Sequence, residues 1–276
     1  MAAQRRGQPS AILTRRALLF DLGAAVAVLA LGGCTSDDTS APSEASGGSP
    51  GSTGSPSVVP TSDTPTSMSG EGEEGAPGGL QWRRAVGGVA SAYVLVRAGE
   101  ATVADTGQSG TAPAIEMALA ELGLAWADVA SVVLTHRHPD HAGSLDAVAE
   151  LASEAALYAG HGDLQAMPQP RELVGVGTGD TVMDMEVIDT PGHTPGHISV
   201  FDALSGVLVA GDALNGTEGG GVSGPNEDFS DDMDVAWASA VTLAGLQPDV
   251  ILFGHGPPAR EGAAAALDQV VESRDG

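Results

Sequence analysis

Four metal-binding side chains fall within six residues in Thr135-His136-Arg137-His138-Pro139-Asp140-His141, and His193, Asp212 and His255 add three more donors downstream. The 276-residue chain has only seven histidines, and five of them belong to this set. Imidazole and carboxylate together suit zinc, iron or manganese. No thiolate competes, because the single cysteine, Cys34, belongs to a different motif. The chemistry expected is hydrolysis at a metal centre.

Such donors need a rigid mount. Residues two apart at the end of a strand project to the same side while the one between points away, so His136 and His138 are expected to share one ion, with Arg137 directed elsewhere. Pro139 then turns the chain, and Asp140 and His141 at the mouth of a helix face a second ion. The run Ser131-Val132-Val133-Leu134-Thr135 reads as a buried strand, and the segment after Gly143 reads as a helix with Leu145, Val148, Ala149 and Ala152 on one face.

The run THRHPDHAG, followed in order by TPGHTPGH around His193, VLVAGDAL around Asp212 and LFGHG around His255, resembles the metallo-β-lactamase superfamily over residues 80–276. The resemblance implies a four-layer αββα sandwich, an α/β fold with the metals at one edge. It implies that His136, His138 and His193 bind metal 1, that Asp140, His141 and His255 bind metal 2, and that Asp212 bridges them. Asp105, in Asp105-Thr106-Gly107, matches the family's strand-end turn and is expected to orient a ligand from outside. An aspartate at 212, where antibiotic-cleaving members tend to carry cysteine or no bridging carboxylate, favours the glyoxalase II-like and lactonase-like branches.

The reading that follows is a hydrolase of a small ester, thioester or lactone, acting through a metal-bound hydroxide at a dinuclear site, with Asp140 as the catalytic proton-transfer group. Two divalent ions are implied, zinc first, with iron and manganese as alternatives. Two other classes stay open. A persulfide dioxygenase-like oxidoreductase would use a single iron on His136, His193 and Asp212, and an exported lipoprotein could hold metal without catalysis. His197, four residues after His193 at the start of a strand, is expected to support a ligand or touch substrate, and His161 is expected to be an ordinary surface or core group rather than a ligand. The loop 215–234, glycine-rich and acidic, with Gly224-Pro225-Asn226 and Phe229, is expected beside the pocket, where it would set substrate identity. Gly175-Val176-Gly177-Thr178-Gly179-Asp180 looks like a phosphate loop, but no helix pattern follows it, so it is expected to be a hairpin turn.

The front of the chain carries an independent message. Arg15-Arg16 precede a short apolar stretch, 22–31, too short and too rich in glycine and alanine to span a bilayer comfortably. Residues 1–33 therefore read as a signal peptide resembling the twin-arginine export type, and Leu31-Gly32-Gly33-Cys34 resembles a lipobox in which Cys34 takes the lipid. Residues 34–79, almost all Ser, Thr, Gly, Pro and acid, read as a disordered linker, and 80–276 as the catalytic domain. The expected location is the outer face of a bacterial membrane, held through the N-terminal lipid.

Charge excludes one class of partner. Residues 80–276 carry seven arginines, no lysine and 28 acids, a net of −21. Such a surface repels a phosphate backbone, so a small-molecule carbonyl substrate is expected and nucleic acid is not. Further strands are expected at 92–96, 101–104, 185–189, 198–202, 206–210 and 250–253, with helices at 113–122 closed by Gly123, at 234–243 and at 261–272. A separate helical substrate domain of the kind full-length glyoxalase II enzymes append is not expected.

Overall fold

The computed structural model describes residues 79–274. The signal-like segment, Cys34 and nearly all of the linker lie outside the described residues. Among the described residues, thirteen strands and five α-helices follow in sequence: β1 Gln81–Val86, β2 Ser91–Arg97, β3 Glu100–Ala104, α1 Ala112–Glu121, β4 Val129–Leu134, α2 Pro139–Ala142, α3 Leu145–Leu151, β5 Ala156–Gly160, β6 Leu173–Val176, β7 Thr181–Val182, β8 Met185–Asp189, β9 Ile198–Asp202, β10 Val207–Gly211, β11 Asn215–Thr217, β12 Gly221–Ser223, α4 Met233–Ala244, β13 Val250–Phe253 and α5 Ala263–Arg274.

Strand alternation builds the layers. In β2, Ala92, Val94 and Val96 face one way and pack with Ile115 and Leu119 of α1 and Leu145 and Val148 of α3. The intervening Tyr93 and Leu95 face the other way and meet Val187, Val200, Val209 and Leu252 of the second sheet. On that sheet's far side, Phe201, Leu208, Ile251 and Phe253 pack with Leu243 of α4 and Leu267 of α5. The result is helix, sheet, sheet, helix, an αββα sandwich as expected.

The first sheet has the order β1-β2-β3-β4-β5-β6 and the second β13-β10-β9-β8-β7. Strands β3 through β6 pair in parallel, as do β10 and β13, while β8, β9 and β10 alternate in direction. The C-terminal ends of β3, β4, β8, β10 and β13 consequently feed one edge, where the donors of the sequence sit. Pairing of β10 with β13 slips between Val209 and Gly211, just before Asp212, a bulge of the kind that re-aims the following side chain.

Three local expectations change. Gly175 and Val176 are not part of a turn but end strand β6; the turn is confined to Gly177–Asp180, where Gly177 N–H and the Asp180 carboxylate close it at 3.0 Å. The segment 215–234 is not all loop, since β11 and β12 pair as a small hairpin within it. The helix after the first motif is two pieces, α2 and α3, with Gly143 and Ser144 between them. Helix α4 starts where Asp232 accepts hydrogen bonds from the backbone N–H groups of Asp234 and Val235, each at 3.1 Å, a cap contributing about 1 kcal/mol.

Candidate metal centre

The loop after β4 brings its donors together with those from three other strand ends. His136 Nε2, His138 Nδ1 and His193 Nε2 form a triangle with sides of 3.1, 3.0 and 3.2 Å. Three ring nitrogens that close cannot all bond to one another, because each carries at most one proton. Lone pairs converging on a common cation about 2.1 Å away would stand roughly this far apart.

The second set lies alongside. Asp140 Oδ2 is 3.2 Å from His255 Nε2 and 3.8 Å from His141 Nε2. The Asp212 carboxylate, 5 % exposed, stands between the groups: Oδ2 is 3.4 Å from His193 Nε2 and 3.3 Å from His255 Nε2, while Oδ1 is 3.3 Å from His141 Nε2. Both Asp212 Oδ1 and His141 Nε2 are buried without a hydrogen-bond partner among the described residues. A buried carboxylate oxygen and a buried ring nitrogen facing each other at 3.3 Å are both satisfied by a shared cation that takes the place of the ring proton between them, so the residues present fit a divalent metal.

Outer contacts choose the tautomers. His141 Nδ1–H donates to Asp105 Oδ2 at 2.8 Å, His136 Nδ1–H to Thr135 Oγ1 at 3.1 Å and His255 Nδ1–H to the Val89 carbonyl at 3.1 Å, which turns each Nε2 toward the centre. Asp105 also accepts from the Thr135 N–H at 2.7 Å and from its hydroxyl at 2.8 Å. It does so at φ 58°, a left-handed conformation that costs a non-glycine residue about 1–3 kcal/mol. Those bonds hold it there, and the strain buys the approach to His141.

His197 is 1 % exposed, so no face is open to substrate. Its Nε2 accepts the Asp212 backbone N–H at 3.0 Å, and its Nδ1–H donates to Thr190 Oγ1 at 2.8 Å. Thr190 in turn contacts Ser199 Oγ at 3.0 Å, and Ser199 donates to the Ala210 carbonyl. His197 thus fixes where Asp212 begins. Gly211, at φ 56°, permits this; a Cβ there would stand 2.7 Å from His197 Nε2. Gly254 is needed for the same reason, since a Cβ would collide with Asp212 Oδ1.

The two donor sets differ electrostatically. Burial, with the neighbouring His141 charge, drives the His136 pKa well below the usual value, and burial lowers His193 to about 4. Burial likewise takes His197 down to about 3. These rings are neutral donors. At His141 burial opposes charge, but Asp105 and then Asp212 outweigh it and raise the pKa well above the usual value. Asp140, then Asp212, raise His255 to about 10 against burial. Asp140 is lowered, first by its bond to His255. Asp212 is held well below the carboxylate range because His141, first among its histidine neighbours, overcomes the cost of burial. The second set is a pocket of negative potential that takes up positive charge.

Residues 85–255 match the profile of the metallo-β-lactamase superfamily. The chain belongs to this superfamily. Among similar curated proteins, uncharacterized protein YobT of Bacillus subtilis is 32 % identical over 195 residues, covering 59 % of this chain and 82 % of that protein. The probable metallo-hydrolase YflN of the same organism is 44 % identical over 81 residues, 26 % of this chain and 31 % of its own length. A hydroxyacylglutathione hydrolase of Cereibacter sphaeroides is 32 % identical over 162 residues, and the match spans 57 % of this chain and 58 % of that enzyme. Among solved structures, TTHA1623 in a di-iron-bound form superimposes with a TM-score of 0.53 at 26 % identity, covering 66 % of this chain and 95 % of that one. The superfamily protein TTHA1429 of Thermus thermophilus superimposes with a TM-score of 0.56 at 22 % identity, over 71 % of this chain and 79 % of that one.

Every superfamily-type residue named from the sequence is within this one cluster: the seven proposed ligands, with Asp105 and His197 behind them. His161 is exposed and takes no part. Arg137 points away from the donor triangle and pairs with Asp163 at 3.0 Å and Asp231 at 2.8 Å. Phe229 is 66 % exposed, and its segment docks on the centre through backbone bonds from Asp231 to His193 and from Asp232 to Gly192. The supporting roles of Thr135, Thr190 and Asp163 emerge only from the structure. For Asp163, the only signal in sequence is an acid set tightly after glycine in Gly160-His161-Gly162-Asp163.

Proposed function

We propose that this metallo-hydrolase superfamily member cleaves a small ester, thioester or lactone at a dinuclear centre. The observation that carries the reading is the Asp212 carboxylate, with one oxygen toward His193 and the other toward His141. The similar hydroxyacylglutathione hydrolase, by its name a hydrolase of an acylated glutathione, supports the substrate class, and a similar protein that binds two irons supports the ion count. Zinc is the proposed metal, with iron and manganese as alternatives.

Two divalent cations held there would supply a water of lowered pKa as nucleophile and polarise the carbonyl under attack. His136, His138 and His193 would hold one, Asp140, His141 and His255 the other, and Asp212 both. Asp140 stays ionised because its pKa is lowered. With Oδ2 turned to His255 and His141, Oδ1 is left to take a proton from the attacking water and return it to the leaving group. Elemental analysis of protein purified without added metal, together with a panel of thioesters, lactones and a persulfide, tests the proposal. Two ions per chain and thioester or lactone turnover are expected; one tightly bound iron with persulfide oxidation would replace it with the oxidoreductase.

Metal loading should release protons. Before metal arrives, His141 and His255 hold their second proton at pH 7, since both pKa values are raised. Filling the second site at pH 7 is therefore expected to release about two protons per chain, read from calorimetry in buffers of different ionisation enthalpy. Release should shrink as pH rises through about 10, where His255 is already neutral. The sign for stability agrees: the charged His255 favours the metal-free fold fully below its ordinary value of 6.5, and that contribution fades through about 10. Equal heats in all buffers would contradict the assignment.

We also propose that the chain is exported and anchored by lipid on Cys34, outside the described residues, a reading supported by Arg15-Arg16 and the Leu31-Gly32-Gly33-Cys34 run. No helix among the described residues is long and apolar enough to cross a membrane. Cys34→Ser should shift the protein from the membrane fraction to the soluble or unprocessed fraction while its hydrolysis rate is unchanged. An unaltered protein that fractionates with soluble cytoplasm would refute the anchor. The proposed substrate is small and not a polyanion, in keeping with a net charge of −21 over 80–276.

A further inference from the structure

We propose that Asp163 is the positioning residue of the first donor set, clasping the two loops that carry His136, His138 and His193. The inference rests on the two-metal reading above. Asp163 is 0 % exposed, and its carboxylate accepts four hydrogen bonds. Oδ2 takes the Arg137 backbone N–H at 3.0 Å and the Thr194 hydroxyl at 2.6 Å, and Oδ1 takes Arg137 Nη1 at 3.0 Å and the Gly196 N–H at 2.9 Å. An ionised carboxylate offers about four lone-pair sites, so every one is occupied.

The placement of those donors makes the role specific. Arg137 sits between His136 and His138, and Thr194 directly follows His193. Bonds to these neighbours set where the β4 loop and the His193 loop lie relative to each other, 26 and 31 residues from Asp163 itself. None of the four reaches Asp140, His141 or His255. The Arg137 guanidinium also balances the buried negative charge, which explains why an arginine stands among metal-binding histidines without facing the cation. The two segments also meet where the Ile198 N–H donates to the Thr135 carbonyl at 2.9 Å, and the Asp163 carboxylate adds the ties that lie beside His136, His138 and His193 themselves.

Loss of an outer partner typically weakens metal affinity about 10- to 100-fold. For Asp163→Asn this loss should fall on one ion only. The full chain would be equilibrated in zinc buffers of stepped free concentration and its zinc per chain measured. One half-saturation point should move about 10- to 100-fold higher while the other stays. In Asp163→Asn combined with His255→Ala, the single ion remaining in His255→Ala should show that shift. An amide at a site with four donors could prevent folding, so Thr194→Val and Thr194→Ser form a second pair. The valine should weaken the same ion, and the serine, which keeps the hydroxyl, should restore it.

Asp163→Asn and Thr194→Val leaving both half-saturation points in place would overturn the role, as would equal movement of both points. A parent protein holding one ion overturns the two-metal reading, and the Asp163 shift is then scored on that ion. A parent holding none overturns both.

Discussion

Asp140→Asn should lower turnover about 10²- to 10⁴-fold, the range a proton-transfer group supplies, while metal content falls far less. Asparagine has nearly the same size and keeps one carbonyl oxygen for the second donor set, where His141, His255 and Asp212 remain. What it loses is the basic oxygen. Asp140 is partly exposed at the centre, whereas Asp105 and Asp212 are buried, so it is the carboxylate best placed to meet substrate. Turnover per bound metal ion, measured on the best substrate of the panel, separates a lost proton carrier from a lost cation.

His197→Gln is the contrast. Glutamine can still accept the Asp212 N–H, and His197 has no exposed face. Both ions should stay bound, and the rate should fall by no more than the roughly 10- to 100-fold typical of an outer partner. Near-full turnover by Asp140→Asn would sink the assignment, since neither activation of the water nor protonation of the leaving group could then depend on that carboxylate.

Asp212→Ala should empty both sites together. Its two oxygens face His193 and His255 on one side and His141 on the other, so under the proposed two-metal reading the substitution removes a ligand from each set at once. It also removes the negative charge between two cations, and in a buried site the resulting repulsion is poorly screened. Dialysis against a weak chelator should take the variant from about two ions per chain to near none, and activity should vanish with them. Folding should persist, because the apolar side chains that build the sandwich, including the neighbouring Ala213 and Leu214, are left in place. Elemental analysis showing loss of a single ion would refute the bridge.

Several parts of this protein were legible because the information was local. His136, His138, Asp140 and His141 lie within six residues, so strand-end alternation and one proline turn suffice to bring all four donors to one site. Long, periodic elements such as α1, α4 and α5 lie within about two residues of expectation. The proposed export signal and lipid anchor at Cys34 lie outside the described residues and rest on sequence alone.

The tertiary structure decided what depended on partners distant in the chain. Strands β5, Ala-Leu-Tyr-Ala-Gly, and β6, Leu-Val-Gly-Val, carry too little pattern to declare themselves and exist because parallel neighbours complete their hydrogen bonds. His197 reads in sequence as either a support or a substrate contact, and only its burial beneath the Asp212 N–H chooses between them. Asp163 looks like an ordinary loop acid, and Asp105 is singled out only by its match to the family's strand-end turn. Their work is done across 36 residues to His141 and 26 and 31 residues to Arg137 and Thr194. Donor type is written in the side chain, but the direction of a lone pair is set by whatever the fold places behind the ring.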